Sequence, residues 1–492
     1  MGDIFKQSVK GSIYIYLGVA LGFIINGLLY PILLTTEQIG LITVLVAYST
    51  ILANIGGMGM KEVVIRLFPY FRDEKNRHHG FLLTTLLITA AGFTLIVILY
   101  IFFKDLLVSK VERGGGLFGH FSGMILFLAL FSMLFALLDN YFKVLYNAVK
   151  GTFYQEVVKR FFILMAILAF SYGILDFEGF VYAYVGVAAL PFLALAVSLK
   201  ASRKLYLKSD FGYMSKKMWK EIADVGLFGI ISGTSGILIL QLDRIMVHGI
   251  TGELGETGVY AISFFFGSLV QKPAKALLKI SSVFISEAWK GNRMAEISSL
   301  YTKSVINQLL VGMILFIGLV VNLDNIFEFL SEDYQEGRNV IILIALAYLI
   351  DMGAGINGVI ISTSRLYRWK TFLILFLGVT VVIFNLLLIP PMGIVGAALA
   401  TLLAKVFFNL FKFLIILVKW KMQPFNVSVL KILAIGLVSF AVGWYLPGFS
   451  NYILDIIVRS TLTVAVYGLG ILIIRPSVDV DYWLKKFMSK YF

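Results

Sequence analysis

Residues 240–287 read LQLDRIMVHGITGELGETGVYAISFFFGSLVQKPAKALLKISSVFISE, and the combination of features in this stretch decides the fold class. One apolar run ends near the pair Asp243–Arg244. A glycine-rich acidic turn follows, then a second apolar run interrupted at Lys272-Pro273 and carrying Lys275 and Lys279. Two apolar segments, each long enough to cross a hydrocarbon layer of about 30 Å and joined by a short turn, describe a transmembrane hairpin. Charges inside such segments are costly against lipid, so they point to faces turned toward protein or water.

Outward from this hairpin the same pattern recurs along the chain. Hydrophobic residues make up 59% and charged residues 14%, with a mean hydropathy of +0.91. Soluble globular chains carry roughly 25% charged residues. Apolar stretches fall at 12–33, 38–59, 80–103, 117–142, 157–174, 180–199, 222–247, 256–285, 300–321, 340–362, 371–389, 393–418, 428–446 and 453–474. The expected fold is an all-α polytopic membrane protein with about 14 transmembrane helices. Pro273 is expected to bend the eighth, since proline lacks the amide donor a helix needs. The first run leads directly into another span and has no small-residue cleavage site, so it is expected to be a span and not a removable signal.

The charges order these spans. Of the 42 Lys and Arg, 35 fall on one side of the alternation, including those of 143–160 and 412–431; four fall on the other side and three within spans. Basic residues favour the cytoplasmic side, so both termini are expected there. The net charge of +14 is thereby a topological signal and implies no nucleic-acid partner. There is no cysteine, which excludes disulfides, thiolate metal sites and cysteine nucleophiles.

A shift of 218 positions places Gly40 on Gly258, Lys61 on Lys279 and Gly18 on Gly236. The halves of the chain therefore look duplicated, a common transporter plan with the substrate site between repeats. The expected organisation is a six-helix half at 1–200, a cytoplasmic linker at 201–221, a second six-helix half at 222–421, and two further helices with a tail at 422–492.

Three segments carry a family resemblance. The opening SIYIYLGVALGFIINGLLYPILLTTEQIGLITVLVAYSTILANIGGMGMKEVVIR resembles the first hairpin of Wzx-type polysaccharide flippases. The stretch LDRIMVHGITGELGETGVYAI resembles their seventh-to-eighth helix junction. In RWKTFLILFLGVTVVIFNLLLIPPMGIVGAALATLLAKV, residues Asn385, Pro390, Gly393, Gly396 and Ala397 to Thr401 fit the family pattern of Asn, Leu-Ile-Pro, Gly-Ile and Gly-Ala-Ala-Ala-Thr. The resemblance implies the fold of the multidrug/oligosaccharidyl-lipid/polysaccharide exporter superfamily. It implies an undecaprenyl-diphosphate-linked glycan as cargo, moved across the bacterial inner membrane for surface polysaccharide such as the O-antigen of lipopolysaccharide. The partners expected from it are membrane lipids, a glycan polymerase and a chain-length regulator. Related lipid II flippases carry several arginines in their first helix, whereas this one has no charge between Lys10 and Glu37, which argues against a lipid II role.

A lipid diphosphate calls for cations in a wet cleft, since ammonium and guanidinium groups pair with phosphate oxygens. The candidate substrate-binding residues are Arg244, Lys275, Lys279, Lys61 and Lys405. Arg244 is near a helix end, where snorkelling also explains it. Positive-inside charge would also explain Lys61 and Lys279. Lys405 lies too deep to snorkel, so it faces the transport path or pairs with Asp351. Asp139 and Asp351, on matching helices of the halves, are candidates for coupling to H⁺ or Na⁺; salt bridging is the alternative for both. Arg459 is expected to snorkel and His78-His79 to be solvated. The spacings Gly18-x₃-Gly22 and Gly229-x₃-Gly233 permit close helix approach.

No Walker motif or nucleophile elbow occurs in the sequence. The loops are short, so an enzyme is not expected, and no cofactor is. The alternative within the superfamily is a cation-coupled multidrug exporter, against which the basic candidate residues and two extra spans weigh.

Overall fold

The fold is described on a computed structural model, in which residues 2–109, 116–147, 149–208, 211–366, 369–477 and 481 are described. Among these the regular structure is helical throughout, without strands. Each of the fourteen expected stretches is helical. Nine described helices are long and apolar enough to cross a membrane. The number is ten if Glu332–Gly353 and Asn357–Thr363, bent by 52° at their junction, count as one span.

The ends of these helices follow from local chemistry. In the Thr-Thr-Glu-Gln turn the Gln38 amide nitrogen donates to the Thr35 hydroxyl at 3.3 Å, and the Thr35 amide donates to Gln38 Oε1 at 3.0 Å. This reciprocal cap starts Thr36–Gly56. Asp176 caps Phe177–Ala201 by accepting from the Gly179 amide at 2.7 Å. Pro273 does interrupt its span. A 3₁₀ turn, Leu269–Gln271, separates Leu254–Ser268 from Ala274–Lys290.

Spans 371–389 and 393–418 are two helices within Trp369–Trp420 that meet at a non-helical kink at Gly393. There φ is 56° and ψ is −136°, a conformation open essentially to glycine. Ring pairs Phe376–Phe411 at 4.7 Å and Phe384–Phe407 at 5.9 Å set the two arms side by side and antiparallel. A Cβ at Gly396 would strike the Leu388 carbonyl oxygen, so this hairpin needs both glycines.

The chain parts into two compact units, Met1–Gly258 and Val259–Phe492. The sequence puts its boundary at 201–221 instead. The difference lies in Lys216–Thr251, which packs within the first unit through a row of glycines. Gly226 lies against the Met58 carbonyl and Gly59, Gly229 against Glu62, and Gly233 against Asn54 and Lys61. Gly40 and Gly258, matched by the internal shift, meet each other within the first unit, where residues 254–258 lie against the start of Thr36–Gly56. A Cβ on either would hit the other helix's backbone.

Two of the first unit's apolar clusters are the largest among its described residues. One gathers Val63, Phe68, Phe81, Leu138 and Tyr141, the other Leu41, Phe118, Ile125 and Val181. The second unit centres on Ile285, Tyr301, Val305, Ile356 and Ile360. Large apolar side chains also cover the outside, with Phe102 78% and Leu437 69% exposed. Such surfaces suit lipid, where apolar exposure has no cost.

Candidate functional site

Each unit encloses a polar cavity of its own. In the first unit, a cavity of about 330 Å³ is lined by Asn54, Lys61, Ser132, Gln155, Lys159 and Tyr184, with no carboxylate among the described residues of its wall. Lys61 begins the second residue of Met60–Phe71, just after Gly59 takes a left-handed turn at φ 66°. Its ammonium donates to Asn54 Oδ1 at 2.6 Å and stands 3.6 Å from Glu62. Gly229 and Gly233 leave the room that Glu62, Asn54 and Lys61 occupy. Gln155 and Lys159 come from the π-helical turn Tyr154–Val158 and the start of Lys159–Ser171. Such extra-residue turns shift a helix's register, here where two polar groups reach one cavity. Arg244 donates to Gln241 at 3.0 Å and lies within electrostatic reach of the Tyr184 hydroxyl on the cavity wall.

In the second unit a buried network surrounds Asp351. Its Oδ2 accepts from Gln271 at 2.8 Å and Lys405 at 3.1 Å, and its Oδ1 accepts from Asn409 at 2.9 Å. Asn357 donates to Asn409 at 3.2 Å. Lys405 also sits 4.5 Å from the centre of the Tyr348 ring. Two helix breaks supply this arrangement. Gln271 comes from the 3₁₀ turn before Pro273, and Asp351 precedes a break where Gly355 has φ 62° and the Ile356 amide donates to Ser304 Oγ at 3.2 Å. The cavity between these groups holds about 360 Å³ and is lined by Gln271, Gln308, Asp351, Asn357, Ser362 and Lys412.

The expected residues thus divide. Lys61 reaches a cavity and Arg244 lies close by it. Lys405 pairs with Asp351, the alternative that the sequence holds open. Asp139 pairs along its own helix with Lys143 at 2.5 Å, and Gly151 packs against it. Lys275 and Lys279 belong to Ala274–Lys290, but their side chains lie outside the described residues.

Three expectations need correction. Arg459 does not snorkel. It binds Asp455 at 2.9 Å and the carbonyls of Gly443 at 2.5 Å and Leu446 at 3.2 Å, tying the last two helices together. His78 is buried, not solvated. Its Nδ1 accepts from the Asp73 amide at 3.1 Å, and its ring packs on Phe68 and Tyr206. Lys159 and Lys412, read as loop charges at 143–160 and 412–431, face cavities. The spaced glycines are all close-approach positions. Gly18 meets Glu156 and Gly22 meets Arg160, whose guanidinium donates to the Gly18 carbonyl. No sequence rule marks Gln271, Gln308, Asn357 or Asn409, because neutral amides in apolar helices carry no periodic or charge signature.

Apolar helices of this length and number define a class: multi-pass membrane proteins. The chain belongs to the polysaccharide biosynthesis protein family, whose family model matches residues 8–273. It is 20% identical to the uncharacterized membrane protein MJ1068 of Methanocaldococcus jannaschii, over 95% of each chain. Its fold is similar to that of the lipid II flippase MurJ in an inward closed conformation, at 13% identity and a TM-score of 0.72, covering 96% of this chain and 98% of that one. An inward-facing multidrug resistance MATE family transporter of the MOP superfamily is similar at 15% identity and a TM-score of 0.62, covering 84% and 94%. The fold is that of this superfamily's flippases and transporters.

Proposed function

We propose that the protein is a flippase that carries a polyprenyl-diphosphate-linked oligosaccharide from the cytoplasmic to the outer leaflet by alternating access. The chain would cross the membrane fourteen times with both termini in the cytoplasm, and in a bacterium it would reside in the inner membrane. The observation that carries this reading is the first unit's cavity, whose wall presents Lys61 and Lys159 and, among the described residues, no carboxylate, with Glu62 3.6 Å from the Lys61 ammonium. A diphosphate brings negative charge that must be matched inside an apolar layer, and ammonium groups match it. A cationic drug would meet repulsion there. Membership of a polysaccharide biosynthesis family and a fold shared with a lipid II flippase support the same cargo class. Asp351, if it takes up a coupling proton, must first release Lys405, because a neutral carboxyl no longer holds the ammonium.

The test is transport in proteoliposomes. A fluorescent short-chain polyprenyl-diphosphate disaccharide should cross to the far leaflet with the native protein. Lys61→Gln and Lys159→Gln should each slow it by about tenfold or more, the scale of one lost charge-assisted hydrogen bond. Native rates in both variants at equal protein density would refute the cationic grip. Uptake of ethidium in place of the glycolipid would favour the multidrug reading.

A further inference from the structure

The second unit's cavity holds a cation that the mechanism above does not use. Lys412 is 7% exposed, and among the described residues it has neither a hydrogen bond nor an ion pair. Its Nζ lies 3.9 Å from the centre of the Phe408 ring, and a Cβ on Gly358 would stand 3.9 Å from that nitrogen. The nearby carboxylate cannot serve it fully, because Asp351 already binds Lys405 at 3.1 Å together with two amides. One negative charge therefore faces two ammonium groups, and the cluster is left with a net positive charge. A buried cation with only a ring face and a shared carboxylate nearby is expensive in an apolar layer. Snorkelling, which would lower that cost, is ruled out by burial within protein.

A second polar residue lines the same cavity. Gln308 is 4% exposed and lines the cavity, and its Nε2 finds no acceptor. Buried amide donors are nearly always satisfied, so an unsatisfied donor on a residue lining the cavity that also takes this ammonium points to an acceptor with negative charge. The volume of about 360 Å³ lies within the range of small-molecule sites. The cavity is bordered by Gln271 and Ala274 at one helix break and by Gly355 and Asn357 at another, the setting in which transporters place ligands.

We propose that this cavity is an oxyanion site, in which Lys412 Nζ and Gln308 Nε2 bind the oxygens of a phosphate-type anion. The site does not depend on the identity of the cargo. Free phosphate and a lipid-borne diphosphate present the same oxygens, and they differ only in the polyprenyl chain.

The test uses the purified full chain with Lys61→Gln and Lys159→Gln in place, which silences the first unit's cavity. Inorganic pyrophosphate at constant ionic strength should raise the unfolding temperature saturably in this background. Adding Lys412→Gln should weaken the apparent Kd at least about tenfold, and adding Gln308→Leu should weaken it by a smaller factor. Without anion, Lys412→Gln should unfold no lower than its parent, since it removes a buried charge that shares its carboxylate. Unchanged pyrophosphate affinity in Lys412→Gln overturns the proposal, as does a lower unfolding temperature without anion, which would make the lysine structural. If Lys412→Gln does not fold, Gln308→Leu decides: weakened affinity supports the site and unchanged affinity overturns it. A parallel arm in nanodiscs with undecaprenyl diphosphate identifies the source. A Lys412-dependent response to that lipid alone assigns a headgroup site, and a response to pyrophosphate assigns a free-anion site. A Lys412-independent response to both overturns the proposal while leaving the transport reading to its own assay.

Discussion

Asp351 and Lys405 show how a buried charge pair is stabilised in this protein. The pair is one-fifth exposed or less, and Gln271 and Asn409 fill the remaining carboxylate positions. Lys405→Ala should therefore strand a buried carboxylate and lower stability by about 3–5 kcal/mol, read as a fall in unfolding temperature in detergent. The double variant Asp351→Leu with Lys405→Met should recover most of that loss, because it removes both charges together. A loss below about 1 kcal/mol in the single variant would place the pair in wetter surroundings than the structure gives it. Arg459→Ala should cost a similar amount, since it leaves Asp455 without its guanidinium and two carbonyls without a donor. At this scale the sequence marks Asp351 and Lys405 as potential partners from their depth alone. It misplaces Lys159 and Lys412, because a lysine within a few residues of a helix end reads as ordinary positive-inside charge.

At the scale of the element, glycines decide where helices turn and how closely they cross. Gly393→Ala should destabilise the hairpin by about 1–3 kcal/mol, since its φ and ψ exclude a Cβ. Gly40→Ala should lose about as much by overpacking against the Leu254 carbonyl. Gly186 supplies the control: a Cβ there meets nothing within 4 Å, so Gly186→Ala should be neutral or gain up to about 1 kcal/mol of helix stability. Thermal unfolding of the three variants side by side checks this order, and equal losses at all three would refute it. The bend at Pro273 and the Pro-Gly reversal near Gly393 are legible in the sequence, because proline and glycine act locally. The break at Gly355 is not, since glycines are too frequent in such helices to single out the one that takes a positive φ.

For the whole molecule, the alternation of charge predicts a topology that the absence of cysteine makes easy to test. Tyr172→Cys should react with a membrane-impermeant maleimide added to intact cells, and Arg203→Cys should react only after the membrane is opened. The reverse pattern would invert the orientation. The class of the protein follows from the sequence by itself, because the helical period and the cost of placing polar groups in hydrocarbon act on every apolar stretch independently. The expected duplication rests on a few matched residues, Gly40 with Gly258, Lys61 with Lys279 and Gly18 with Gly236. Which lysine meets a carboxylate and which faces a cavity was decided only by tertiary structure. Asp351 and Lys405 are 54 residues apart, and Gln271 is 80 from Asp351. Contacts of that kind depend on how the helices pack. The placement of Lys216–Thr251 in the first unit has the same origin, in glycine contacts with Met58, Glu62 and Asn54 that no count of spans contains.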